Sequence, residues 1–288
     1  MADFKKEIFR GKQIQLGYYF FEGGENLLVL FPGYGQSARH FVYFNQHLKS
    51  NYSILGINHL EHGDSLAFKK DEPLEINEFN ATLFDLIHFL GFENRNIVMG
   101  AFSFGNWLAA AAIQSQSFPV KGWIVMSAPP VRFSRLFAFS TGTILGKLIF
   151  RFYTKENIGL QKILNFIKNT KILSEEKIRV ASLQVKDSSK SRRLYNNWQV
   201  MRHFIPNWRN CIKLAQTKQI EILFVAGKHD NVTPMKGLLK LFQAEKSSRI
   251  LVFNGAHTFM HEDIIEGIDK FLNEIDNKQK IDLETINS

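Results

Sequence analysis

Cysteine is almost absent from this chain: Cys211 is the only one in 288 residues. A single thiol excludes an intramolecular disulfide and fits a reducing compartment. Long apolar runs are missing as well. The greasiest stretch, Leu136 to Phe150, is interrupted by Ser140, Thr141, Thr143 and Lys147, and it falls below the roughly 18 residues a spanning helix needs. Met1 to Lys12 carry charges with no apolar stretch behind them, so no secretory signal is expected. The expected location is the cytoplasm, at most peripheral at a membrane. There are no internal repeats. Acidic residues are scarce in one place: residues 131–215 hold seventeen Lys and Arg against four Asp and Glu. That segment is net +13 in a chain of net +9, which leaves −4 for the remainder. The excess of base therefore belongs to one segment and not to the whole. An anionic lipid surface, an anionic substrate such as an acyl thioester with a phosphorylated carrier, and a solvated basic face are all compatible with it. No recognisable nucleic-acid-binding module organises these bases, so no nucleic-acid partner is expected.

Apolar residues make up 45% of the sequence, enough to build a sizeable core. The length suits one large domain, or a core with an inserted subdomain. Lys12 to Glu22 alternates and predicts an early antiparallel strand. Asn26 to Phe31, Tyr52 to Ile57 and Gly122 to Ser127 are apolar enough to be strands buried on both faces. Ser37 predicts the cap of a helix reaching about Leu48. Ile76 to Leu90 has apolar residues at helical spacing, with Gly91 as its stop. Strands vanish between about 131 and 215, where the composition is helical. The rhythm then resumes as strand Glu221 to Ala226, helix Met235 to Phe242, strand Arg249 to Phe253 and helix Phe259 to Phe271. The last dozen residues are polar and expected to fray. Alternation of this kind implies an α/β fold with a mostly parallel sheet covered by helices.

Residues 99–107 read Met-Gly-Ala-Phe-Ser-Phe-Gly-Asn-Trp. A strand-like run leads into Ser103, and a helix-forming run, Trp107 to Ile113, leads out. A serine on so sharp a strand-to-helix turn adopts a strained backbone that exposes its hydroxyl. Ala101 and Gly105, two residues to either side, are small enough for neighbouring backbone to pass close by. The helix that follows aims free N–H groups at a forming oxyanion.

A serine hydroxyl needs a base, and the base needs an orienting acid. Asp230 lies in the polar loop after the strand Glu221 to Ala226. His257 follows the strand Arg249 to Phe253. Each stands just past the C-terminal end of a strand, the edge where open α/β sheets place their chemistry. The chain order is Ser, Asp, His. Taken singly, each residue has a plainer reading: Ser103 as a small junction residue, Asp230 as a turn or helix cap, His257 as a loop histidine with His261 a turn later as its rival. His229 is expected in a supporting position beside Asp230. His59 and His62 lack a third ligand and cysteine support, so no metal is expected. Gly33-x-Gly35 lacks the third glycine and the acidic residue of a dinucleotide site, and no cofactor is expected.

With these residues in place the chain resembles the α/β-hydrolase superfamily, specifically its capped serine hydrolases. Phe31-Pro32-Gly33-Tyr34-Gly35 is similar to the family's oxyanion loop. Asn58-His59-Leu60-Glu61-His62-Gly63-Asp64-Ser65 is similar to its Asp-x-x-Gly-His-Gly-x-Ser segment. The resemblance implies a mostly parallel eight-stranded sheet formed by residues 1–130 and 216–288, with residues 131–215 inserted as a basic helical cap. It further implies Ser103 as nucleophile, His257 as general base and then acid, Asp230 as orienting acid, and the backbone N–H groups of Tyr34 and Phe104 as the oxyanion hole, with Gly33 in the turn. The chain departs from the family at Ala101 and Glu61, which replace glycines, at Pro32, which replaces histidine, and at Asn58, which replaces aspartate. A small acyl ester or thioester is the implied substrate. Hydrolysis of a C–C bond, acyl transfer, and a low-turnover small-molecule receptor use the same frame and stay open.

Overall fold

A computed structural model describes residues 6–69, 72–115, 119–129, 131–155, 182, 188–234, 236–244 and 248–286. Nine strands form one sheet: β1 (Lys6–Arg10), β2 (Ile14–Phe21), β3 (Asn26–Phe31), β4 (Tyr52–Ile57), β5 (Leu66–Ala67), β6 (Ile97–Phe102), β7 (Val120–Met126), β8 (Glu221–Gly227) and β9 (Ser248–Phe253). Eight of them run in the order β1-β2-β4-β3-β6-β7-β8-β9, and the two-residue β5 pairs with β2 off that path. β1, β2 and β5 are antiparallel to their neighbours, and every pairing from β4 to β9 is parallel. β3, β4 and β6 to β8 are buried along almost their whole length, as apolar runs without alternation require when helices cover both faces. One core cluster lies on each side of the sheet.

The helices are α1 (Val42–His47), α2 (Ile76–Phe89), α3 (Asn106–Ala112), α4 (Val131–Gly142), α5 (Ile144–Lys155), α6 (Ser188–Val200), α7 (Trp208–Thr217), α8 (Lys236–Gln243) and α9 (Glu262–Ile286). Ser37 does cap a helical segment, but its first turn is a 3-10 helix, Ala38–Phe41, before α1 begins. Gly91 ends α2 at φ +81°. Helices α4 to α7 occupy the interval between β7 and β8 where strands were expected to vanish.

The C-terminus departs from expectation. Fraying was expected over the last dozen residues, yet α9 continues to Ile286. Three ties hold it as far as Lys278. Ile275 is buried in the core. Asp276 accepts from the Tyr52 hydroxyl at 2.8 Å and from Asn26 Nδ2 at 3.0 Å. Lys278 pairs with Glu221.

Candidate active site

β6, β8 and β9 deliver their side chains to a single rim, because all three run parallel and end together. Ser103 directly follows β6 and opens the 3-10 turn Ser103–Gly105 that leads into α3. Its φ is +50°, a left-handed conformation that costs a non-glycine residue about 1–2 kcal/mol. Gly105 lets neighbouring backbone pack against this turn, since a Cβ there would strike the carbonyls of Phe31 and Pro32. The loop of residues 31–35 therefore lies directly on the turn. Asn106 secures the same junction, donating to the carbonyls of Ser103 at 2.8 Å and Met126 at 2.9 Å.

Asp230 stands three residues beyond β8, and His257 four beyond β9. Gly227 brings their loops together: a Cβ there would meet the carbonyls of Gly255 and Ala256 at 2.6 Å. His257 Nε2 lies 3.1 Å from Ser103 Oγ, and His257 Nδ1 lies 2.7 Å from Asp230 Oδ2. Asp230 also accepts from Val232 N at 2.9 Å, Thr233 N at 2.8 Å and Thr233 Oγ1 at 2.8 Å. Burial pushes the Asp230 carboxyl upward, but the hydrogen bond and charge of His257 and the Thr233 donors outweigh it and hold the carboxyl below its usual range. The acid is thus an anion at neutral pH, positioned to orient and stabilise an imidazolium. The Phe102 ring packs against the imidazole of His257 at 4.6 Å.

His261, the rival base, instead accepts from Asp263 N at 3.2 Å and packs on Phe253. His229 bonds Asn254 through Nε2 at 3.0 Å, and its N–H bonds the Gly255 carbonyl at 2.9 Å. It supports the two loops and does not reach the serine's partner atoms.

Tyr34 and Phe104 face each other across the site, ring centroids 5.9 Å apart. Gly33 N donates to Gln36 Oε1 at 3.0 Å, which closes a tight turn around Tyr34. The half-buried Tyr34 ring packs against His62 at 4.6 Å with its hydroxyl enclosed, and burial keeps the phenol protonated.

His59 and His62 play a part that sequence spacing did not disclose. His62 Nε2 accepts from Gly35 N at 3.1 Å, fixing the far end of the loop of residues 31–35, while its Nδ1 bonds the Leu60 carbonyl at 2.9 Å. His59 stacks on Phe104 at 5.0 Å, and Asn197 of α6 reaches both His59 Nδ1, at 3.0 Å, and the Leu60 carbonyl, at 2.7 Å. Burial is the leading cause that lowers His59 to about 3 and His62 to about 4, so both rings are neutral braces. No group of three or more His, Cys, Asp or Glu suited to a metal occurs among the described residues.

The departures from the family pattern are accommodated by their surroundings. Asn58 Oδ1 accepts from Ala38 N at 2.8 Å. Glu61 stands at φ +62°, where the family has glycine, and its carboxylate accepts from Ala67 N at 2.9 Å. Pro32 contributes no N–H, and its carbonyl lies beside Gly105.

Above the turn, Phe137 packs on Trp107 at 4.7 Å and Phe104 at 6.2 Å, Trp198 packs on Phe137 at 4.9 Å, and Phe150 packs on Trp198 at 4.8 Å. Phe139 and Phe152 are exposed. Phe166 and the side chains of Phe133 and Tyr153 lie outside the described residues.

The family model described as Hydrolase_4, serine aminopeptidase S33, matches residues 24–266. No curated protein matches the sequence. Among solved structures, a thermophilic esterase from Thermogutta terrifontis superposes with a TM-score of 0.67 at 14% identity, covering 94% of this chain and 99% of that one. A bacterial membrane phospholipase A gives 0.64 at 15% identity, with 95% and 87% covered. A carboxylesterase of the thaumarchaeon Nitrososphaera gargenis gives 0.64 at 15% identity, with 94% and 100% covered. At such identities the likeness establishes the α/β-hydrolase fold.

Proposed function

This chain belongs to the Hydrolase_4 (serine aminopeptidase, S33) family, and from that premise we propose that it is a serine hydrolase cleaving a carboxylic ester or thioester through an acyl-enzyme. Ser103 Oγ attacks the acyl carbonyl while His257 Nε2 takes its proton. Asp230 steadies the imidazolium that forms. The N–H groups of Tyr34 and Phe104 hold the oxyanion, each donor worth about 2.7–4 kcal/mol. The carbonyl reforms, the C–O or C–S bond breaks, and His257 returns its proton to the leaving alcohol or thiol. Water then attacks the acyl-serine, gives its proton to His257, and releases the acid and the free hydroxyl of Ser103. No metal or cofactor enters these steps. Residues 131–215 act as a cap, with Phe137 and Trp198 forming an apolar wall above Phe104. The enzyme works in the cytoplasm or peripherally at its membrane.

The observation that carries this reading is the unbroken chain from Ser103 Oγ through both nitrogens of His257 to Asp230, at 3.1 and 2.7 Å. The test is turnover of p-nitrophenyl esters of graded chain length, with an aminoacyl anilide alongside. Ser103→Ala is expected to keep its fold and lose about 10⁴-fold or more in kcat. Turnover retained in that variant overturns the reading, as does a wild type that reacts once and stops, the behaviour of a receptor.

A further inference from the structure

Helix α5 (Ile144–Lys155) is apolar on two sides. Gly146, Phe150 and Thr154 form its buried side. Phe150 packs against Trp198 and, at 5.6 Å, against Tyr195. Gly146 lies so close to the Phe139 carbonyl that any Cβ would collide, which locks α5 against α4. The Thr154 hydroxyl is turned back onto the Phe150 carbonyl at 2.7 Å. A surface helix seated in this way carries polar residues on its outer face. Here the outer face carries Ile144, Leu145 and Leu148, exposed by 82%, 63% and 62%, with Ile149 and Phe152 also exposed beside them. At 100° per residue these five positions fall within one arc about 140° wide. Phe139 of α4 is exposed as well. Lone exposed apolar residues are ordinary, but a contiguous set on one helix marks an interaction surface.

Charge selects the occupant. Lys147 and Arg151 border the arc on one side by helical position, and they belong to the segment of net +13. A second copy docking by a two-fold contact would set this positive segment against itself. An anionic bilayer surface meets both properties at once: apolar side chains sink about 5–10 Å into the headgroup boundary, while bases stay level with the lipid charge. Twelve residues of helix span about 18 Å, so α5 lies in the interface and does not cross it, and no helix among the described residues is long and apolar enough to cross a membrane.

We propose that the outer face of α5, with Phe139, docks this protein onto an anionic lipid surface. Docking there connects to the rim through packed rings, Phe150 to Trp198 to Phe137 to Phe104. The proposal concerns where the chain sits, and it holds whatever bond Ser103 attacks.

The test uses the full chain and co-sedimentation with two kinds of vesicle, equimolar phosphatidylglycerol and phosphatidylcholine, and phosphatidylcholine alone, across a salt series. The expected result is binding to the anionic vesicles that weakens as salt rises. The double variant Ile144→Glu/Leu148→Glu is expected to bind about tenfold more weakly or worse, and Lys147→Gln/Arg151→Gln to bind less tightly with a shallower salt dependence. Both variants should keep the wild-type unfolding midpoint. Absence of wild-type binding, equal binding to neutral vesicles, or undiminished binding by the Glu variant overturns the proposal. A lowered unfolding midpoint in the Glu variant also overturns it, because that places the face inside the fold. If light scattering shows a wild-type dimer that the Glu variant dissolves, the occupant is a second copy and the proposal fails.

Discussion

Among the described residues, α3 and α5 both carry apolar side chains on more than one side, and they meet opposite fates. Every residue of α3, Asn106 to Ala112, is buried. Its alanines let β6, β3 and α2 close in around it, and at its far end Lys218 donates to the carbonyls of Ile113 and Ser115. The side chains of α5 are larger, but nearly half of that helix faces solvent with apolar groups. Small side chains mark the helix that is enclosed, while bulky ones mark the helix that is left open. Apolar composition by itself does not reveal which of the two a helix will be. The enclosed helix starts at the Ser103 turn, so its rigidity fixes the geometry of the rim. The open helix contributes no residue to the Ser103, Asp230 and His257 hydrogen bonds, so substitutions on its outer face should leave the rim as it is.

Mutation of paired positions sharpens this contrast. The largest effect is expected at Trp107, which is fully buried in α3 between Phe104 and Phe137: Trp107→Ala should cost about 3–5 kcal/mol of unfolding free energy by urea denaturation. A loss under about 1 kcal/mol would show that α3 is not the anchor described.

The next effect comes from His59 and His62, the two imidazoles packed on Phe104 and Tyr34. Their folded values lie below the ordinary 6.5 of histidine, so the folded state resists protonation. Their contribution is complete above about pH 6.5 and is lost as pH falls toward 4. For His62, at about 4, the loss is about 3 kcal/mol over that window. Urea midpoints measured from pH 7 to pH 4 should fall accordingly, and His62→Gln should flatten the slope. A slope unchanged in that variant removes His62 from the account.

The smallest effect belongs to α5. Leu148→Ala should change stability by no more than about 0.5 kcal/mol, although the same methylenes are deleted as in a core substitution. A loss of core size there would erase the difference between the two helices.

Much of this arrangement was legible beforehand. β3 and β4 lie where their apolar runs predict, and β8 and β9 fall within a residue of expectation. Ser103, Asp230 and His257 could be placed on one rim because each follows the C-terminal end of a strand in the parallel part of the sheet. β1 escaped notice because Lys6–Arg10 is a charged strand at the end of the sheet order, paired among the described residues with β2, and such strands carry little apolar signal. The two residues of β5 are too few to carry a pattern. The tie that holds α9 at Asp276 reaches Tyr52 and Asn26, which are more than 220 positions away. The roles of His59 and His62 were hidden for a related reason: the partners of these rings, Gly35, Phe104 and Asn197, come from three separate elements. The outer face of α5 was likewise unreadable, since its apolar spacing looks the same whether or not something covers it.

The backbone at Ser103 has one more consequence. A φ of +50° suits glycine best, and serine is kept there at the expense of conformational ease. Stability and chemistry therefore pull this codon in opposite directions. A laboratory selection that rewards only heat tolerance, and never checks for product, would drift toward glycine at the position of the proposed nucleophile.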